Sequence, residues 1–188
     1  MLITKKAESV VEKETGCTYM FQHARLEELN LMYNIFKRDP NTLVLIIQKM
    51  NPYIEMRGKT IVQDENLLKD PIDFTKKLLE LKQEMDDMLK QSFDNSMQFQ
   101  KGRDSSFQNF MNECSQTPFY LAAYSHKELT SGLKGVSDED QQERLDAIIR
   151  LFCCLHGRDT YMKAYVKYLS QRLLNKTMLS MEAEELML

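Results

Sequence analysis

The sequence predicts an all-α protein, a succession of amphipathic helices, on three observations. Apolar residues recur at i, i+3, i+4 and i+7 in one stretch after another, the spacing that gathers them on one face of a helix. Prolines, glycines and short polar side chains fall between those stretches, where helices start and stop. No window alternates β-branched and polar residues between hairpin turns, so no sheet is predicted.

Leu29, Met32, Tyr33 and Phe36 form the first clear stripe. It stops at Asp39-Pro40, because the residue before a proline is driven out of the α region. Leu43, Ile46, Ile47, Met50 and Ile54 form the second, and Gly58 reads as its C′ residue. Pro52 lies inside that stripe. An interior proline removes a backbone hydrogen bond at a cost of about 3 kcal/mol, which predicts a kink or an early end near Asn51.

A polar loop over 62–69 follows, and Asp70-Pro71 then reads as N-cap and N1 of a long helix faced by Phe74, Leu78, Leu81, Met85, Met88 and Leu89. Ser96 caps the next helix, with Phe99, Phe107, Phe110 and Met111 inward and Arg103 on the same side. Thr117-Pro118 opens another in the manner of Asp70-Pro71, lined by Leu121, Tyr124 and Leu129 and ended by Ser131-Gly132. Ser137 caps a helix bearing Leu145, Ile148, Ile149, Phe152 and Leu155, which Gly157 terminates.

The stretch GRDTYMKAYVKYLSQRLL comes next. Tyr161, Ala164, Tyr165, Tyr168 and Leu169 share one face, and Lys163, Lys167 and Gln171 point away. Arg172 extends the aromatic stripe. Its stem can lie along the rings while its guanidinium meets a carboxylate or carbonyl at a helix junction, a packing role and not a catalytic one.

The 188 residues suit one structural unit. With 25 basic and 28 acidic residues the net charge is −3, which recommends neither nucleic acid nor an anionic membrane as partner. The run Leu43-Val44-Leu45-Ile46-Ile47 is too short to span a bilayer, and Met1-Leu2-Ile3-Thr4-Lys5-Lys6 lacks a signal peptide's apolar centre. A cytoplasmic and nuclear location is expected. Cys17, Cys114, Cys153 and Cys154 form no CxxC pair, and His23, His126 and His156 are scattered, so no metal site is indicated. Cys153 and Cys154 read as small apolar fillers of a helix. No phosphate-cradling glycine motif occurs, and no cofactor is expected. Met85 and Met88 read as core, Asp138-Glu139-Asp140 as a first helical turn favoured by the macrodipole, and Asp86-Asp87 as a solvated face.

Several motifs, in order, resemble the cullin family. RDTYMKAYVKYLSQRLLNKTMLSMEAEELML is similar to the cullin segment in which an aromatic-lined helix ends in K/R-R-L and a Ser-rich turn precedes an acidic helix. TPFYLAAY resembles the SPExLAxY helix start, LLELKQEMDDMLKQSFDNSMQFQKGRDSSFQNFMN the long helix, SFxN turn and F-x-N helix end, and LEELNLMYNIFKR the L-x-x-MY-x-L/I-F-x-R helix. The family-motif positions are Pro118, Leu121, Tyr124, Arg158, Asp159, Tyr161, Tyr165, Leu169, Arg172 and Leu173. Arg158 stands where the family has lysine, Thr160 where it has valine, Tyr161 where it has phenylalanine and Ala164 where an aromatic is usual. The PNTL turn, MNPYIEMRGKTIV and LTSGLKGVSDEDQ are most similar to the paralogue that recruits BTB adaptors.

The resemblance implies an elongated multi-helix cullin-repeat array. Residues 1–58 would be the end of one repeat with junction helices, 59–157 the third-repeat helices, and 158–188 a linking helix and the start of the C-terminal domain. It further implies a non-catalytic scaffold segment of a cullin-RING ubiquitin ligase, a rigid spacer between substrate adaptor and RING protein. The regions that bind those two partners are expected outside this stretch. The other reading is a standalone helical-repeat interaction module unconnected with ubiquitin.

As the middle of such an array, the chain is expected to self-associate or be marginally stable through its cut ends. Val10, Val11, Tyr19, Met20 and Phe21 have little preceding chain to pack on, and Leu186, Met187 and Leu188 no sequence-local partner. Hydrogen exchange is then fastest before about Arg25 and after about Asn175.

Overall fold

The computed structural model describes residues 2–187; Met1 and Leu188, which the readings of the two ends include, lie outside them. Among the described residues the chain is helical throughout, with no strand. The helices are α1 (Leu2–Val11), α2 (Cys17–Gln22), α3 (Leu26–Phe36), α4 (Pro40–Val62), α5 (Pro71–Ser92), α6 (Met97–Met111), α7 (Thr117–Lys127), α8 (Asp138–Phe152), α9 (Arg158–Asn175) and α10 (Met181–Leu186). A 3₁₀ turn at Leu67–Lys69 precedes α5, and a π turn at Glu128–Gly132 extends α7. Two compact units form. One runs to Thr60 and resumes over Glu80–Phe110; the other comprises Ile61–Leu79 and the chain from Met111 on.

In the first unit the expected stripes of α3, α4 and α6 face inward. Leu29, Met32, Tyr33, Phe36, Leu43, Ile46, Met50, Ile54, Phe99, Phe107 and Phe110 are all buried. Phe93 and Phe99 stack with centroids 4.2 Å apart, and Tyr33 meets both edge-on at 5.8 and 5.7 Å, a favoured aromatic geometry.

Helix α4 departs from expectation twice. It runs through Pro52 to Val62, so no early end occurs near Asn51. Met50, Tyr53 and Ile54 around the proline are buried, and burial of about 1.5–3 kcal/mol per large apolar side chain offsets the lost hydrogen bond. Gly58 is not a C′ residue but lies inside the helix, where the Phe110 ring occupies the space a Cβ would need. The glycine permits close approach of α6 and does not end α4.

Asp86 also departs from the solvated-face reading. Arg103 donates from Nη1 to Asp86 Oδ1 and from Nε to Asp104 Oδ1 at 2.9 Å, while buried Lys82 donates to Asp104 Oδ1 at 2.7 Å. The Lys82 ammonium also lies 5.0 Å from the Phe107 ring centroid, a cation–π contact. Only Asp87 of the pair is exposed. At the near end of the chain, Val11 and Phe21 are buried and Phe21 packs 5.6 Å from Tyr53, so those two residues do find cover.

In the second unit Asp70 caps α5 as expected, its Oδ1 accepting from the N–H groups of Ile72 at 2.9 Å and Asp73 at 3.2 Å. Ser137 Oγ likewise accepts from Asp140 N at 3.3 Å and starts α8, with Asp138, Glu139 and Asp140 in its first turn. Thr117 does not behave like Asp70. It lies within α7, and its hydroxyl turns back to the carbonyls of Met111 and Cys114, 2.9 Å each, closing the end of α6.

Gly157 does not terminate α8 either, because that helix ends at Phe152 and Gly157 immediately precedes α9 with φ −80°. The intervening turn is held from outside. Asn112 donates to Cys154 O at 3.0 Å and accepts from His156 N at 2.8 Å, and Arg158 donates to Cys153 O at 2.8 Å. Cys153 and Cys154 therefore sit in this turn and not in a helix, Cys154 buried and Cys153 exposed.

Candidate functional site

The sequence singles out α9, and the structure builds a buried polar network on its inner face. Tyr161, Tyr165 and Arg172, spaced by four and seven, are buried; Ala164, Tyr168 and Leu169 flank them half-buried, and Lys163, Lys167 and Gln171 are exposed. Arg172 has 0% exposure, which for a permanently charged group demands compensation.

Glu184 supplies it. Helix α9 closes at Lys176, whose φ of 55° is left-handed, with Thr177 N donating to Arg172 O at 3.0 Å. The chain then reverses, and Ser180 caps α10 by accepting from Ala183 N at 3.0 Å. That reversal brings Glu184, 2% exposed, against Arg172 in a forked pair, Nε to Oε1 at 2.5 Å and Nη2 to Oε2 at 2.7 Å. Tyr165 donates its hydroxyl to Glu184 Oε2 at 2.9 Å, and its ring centroid lies 5.3 Å from the guanidinium carbon.

The remaining Arg172 nitrogen reaches α7. Nη1 donates to Nδ1 of His126 at 3.1 Å, which assigns that ring nitrogen as acceptor and the proton of a neutral imidazole to Nε2. The His126 ring stacks on Tyr168 at 4.6 Å. One turn toward the N-terminus of α9, the hydroxyls of Tyr161 and Ser125 lie 3.1 Å apart.

Burial, then the positive charge of Arg172, holds His126 below the ordinary histidine range against an opposing pull from Glu184. Burial pushes Tyr161 up to about 12, and burial with the Glu184 hydrogen bond pushes Tyr165 up as well. Both phenols stay protonated, and Tyr165 donates to Glu184. The arrangement locks α10 to α7 and α9 and offers no nucleophile–base pair for chemistry.

The other family-motif positions serve the same unit. Pro118 and Leu121 are buried in α7, and Pro118 packs beside Gly157. Tyr124 is half-buried, pushed up to about 12 by burial and the charge of Glu128. Arg158 ties the turn before α9, Asp159 lies exposed in its first turn, and Leu173 faces solvent. The sequence reading placed Arg172 against a carboxylate or a carbonyl at a helix junction; the structure supplies a carboxylate, and the reading identified neither Glu184 nor His126. Glu184 is one of three glutamates in MEAEEL, and His126 is one of three scattered histidines.

At the chain's far end, Met187 is buried although the sequence offers it no sequence-local partner, while Leu186 is exposed. Among the described residues no helix is long and apolar enough to cross a membrane, and no three His, Cys, Asp or Glu side chains gather as a metal set.

The Cullin alpha solenoid domain family matches residues 1–188. The chain is 32% identical to Cullin-3A of Arabidopsis thaliana over 96% of its length and 26% of that relative. It is 31% identical to Cullin-3 of Dictyostelium discoideum over 100% of its length and 24% of that relative, and 29% identical to Cullin-3 of Caenorhabditis elegans over 100% and 25%. The chain thus spans about a quarter of the length of the curated relatives it matches.

Proposed function

The chain belongs to the cullin family, and from that premise we propose that it is a non-catalytic scaffold segment of a cullin-RING ubiquitin ligase. In this reading it is a helical spacer that sets the distance between a substrate adaptor of the BTB type and a RING protein. Those partners bind elsewhere in the longer protein. The observation that carries the reading is the match of the solenoid family over residues 1–188. The buried Arg172–Glu184 pair supports it, because a spacer must hold successive helices in one arrangement.

On this reading 1–58 closes one cullin repeat, 59–157 forms the next, and 158–188 leads into the C-terminal domain, in a protein of the cytoplasm and nucleus. The first of these boundaries falls within α4, four residues before its end at Val62.

The test is a chimaera in which this chain replaces the matched segment of a cullin of the Cullin-3 type, assayed for ubiquitin transfer with BTB adaptor and RING protein. Transfer near the parent's rate is expected. A folded chimaera that binds both partners yet transfers nothing would overturn the spacer reading, and transfer by residues 1–188 alone would overturn the non-catalytic one.

A further inference from the structure

A cavity of about 170 Å³ opens in the first unit, lined from α2, α3, α4 and α5 and by neither of the terminal helices α1 and α10. Phe21 of α2 and Tyr53 of α4 line it with rings stacked at 5.6 Å between centroids, and Met85 and Met88 of α5 line it with their thioethers. All four side chains are buried. Exposed Ala24, whose left-handed φ of 49° is uncommon for a residue with a Cβ, lies at the rim between α2 and α3.

The rest of the rim is acidic, with Glu84 and Asp87 on the exposed side of α5. Arg57 neutralises Glu84 in a fork, 2.8 Å to each carboxylate oxygen. Asp87 accepts the side-chain amide of Gln83 at 3.1 Å and has no cationic partner among the described residues. One carboxylate charge is thus left uncompensated beside a space with apolar walls.

We infer that this cavity is a binding site for a small arylalkyl ammonium ion, its ring among the aromatic and methionine side chains and its charge at Asp87. An apolar cavity of about 150 Å³ takes a benzene-sized ring, so this one suits a single aromatic ring on a short arm and little more. Rings and thioether sulfurs give an aromatic guest favourable contacts that an aliphatic one does not receive. The uncompensated carboxylate favours a cation and opposes an anion. With one ring buried and one solvent-exposed ion pair, the affinity is low, about millimolar. The inference goes beyond the scaffold reading and does not depend on it.

Methyl NMR of the whole chain with isotope-labelled methionine, titrated with phenethylamine, tests it. The Met85 and Met88 methyl resonances are expected to shift together and saturably, while Met111, buried in the second unit, stays in place. Phenylpropionate, with the same ring and the opposite charge, and butylamine, with the charge and no ring, should each bind at least about fivefold more weakly, and Asp87→Asn, at an exposed position, should weaken phenethylamine about fivefold. The same two resonances should respond when the chain sits in the longer chimaera; loss of the response there would show the cavity covered by neighbouring chain and overturn the inference. An absence of saturable shifts, an equal response at Met111, either comparison compound binding as tightly as phenethylamine, or an Asp87→Asn chain that binds unchanged would overturn it as well.

Discussion

Arg172 and Glu184, twelve residues apart, face each other as a fully buried forked ion pair, Nε to Oε1 at 2.5 Å and Nη2 to Oε2 at 2.7 Å. The contact joins the last turn of α9 to α10, and the free energy at stake is that of a buried charge, not of a surface bridge.

Truncating one partner strands the other charge in the interior. Arg172→Ala is therefore expected to destabilise the chain by about 3–5 kcal/mol in urea unfolding. Arg172→Met with Glu184→Met removes both charges and should cost less than the sum of the two single changes. Hydrogen exchange gives the local readout: α10 should lose protection first in Arg172→Ala, and equal loss across all helices would contradict a local clamp.

His126 makes the clamp sensitive to acid. Its folded pKa is lowered by burial and by Arg172, so as pH falls the unfolded chain takes up the proton first. Its contribution to stability is complete above the unfolded histidine value of about 6.5 and is lost as pH falls from there through the lowered folded value. Stability measured at fixed ionic strength should drop across that window in the parent. His126→Gln, which keeps an acceptor but does not titrate, should show a shallower drop, and identical pH profiles would remove His126 from the clamp.

Gly58 meets the Phe110 ring inside α4. Alanine is favoured over glycine in a helix by about 1 kcal/mol. Phe110 has 0% exposure and its ring cannot swing aside, so overpacking should win. Gly58→Ala is expected to destabilise by about 1–3 kcal/mol, and Phe110→Leu in the same chain to recover part of that loss. A stabilised Gly58→Ala would show that the ring has room to move.

Ser137 both accepts from Asp140 N at 3.3 Å and donates to Asp140 Oδ2 at 2.7 Å. Ser137→Ala is expected to lower stability by about 1 kcal/mol, and Ser137→Asn to retain most of it, in the same unfolding measurement.

The helices and most of their starts were legible because the signals are local. A stripe at helical spacing specifies its own inner face, and Asp70 and Ser137 cap through atoms two or three residues away. The misreadings share the opposite property. Gly58 was taken for a stop although Phe110, fifty-two residues on, requires its missing side chain. Thr117 was taken for a cap although its hydroxyl answers to the end of α6. Asp86 was read as solvated because Arg103 lies on another helix.

By itself the sequence determined that this is an all-α chain of cullin type, with Arg172 turned inward on an aromatic stripe. Periodicity, caps and family motifs are written along the chain, and a helix forms from neighbours within a few residues. Which carboxylate answers Arg172, and that His126 takes its remaining nitrogen, only the tertiary structure decided. The three glutamates of MEAEEL look alike in one dimension. The left-handed turn at Lys176 and the packing of α10 choose Glu184 from among them, because a buried guanidinium is tolerated only where a carboxylate is carried into the interior with it.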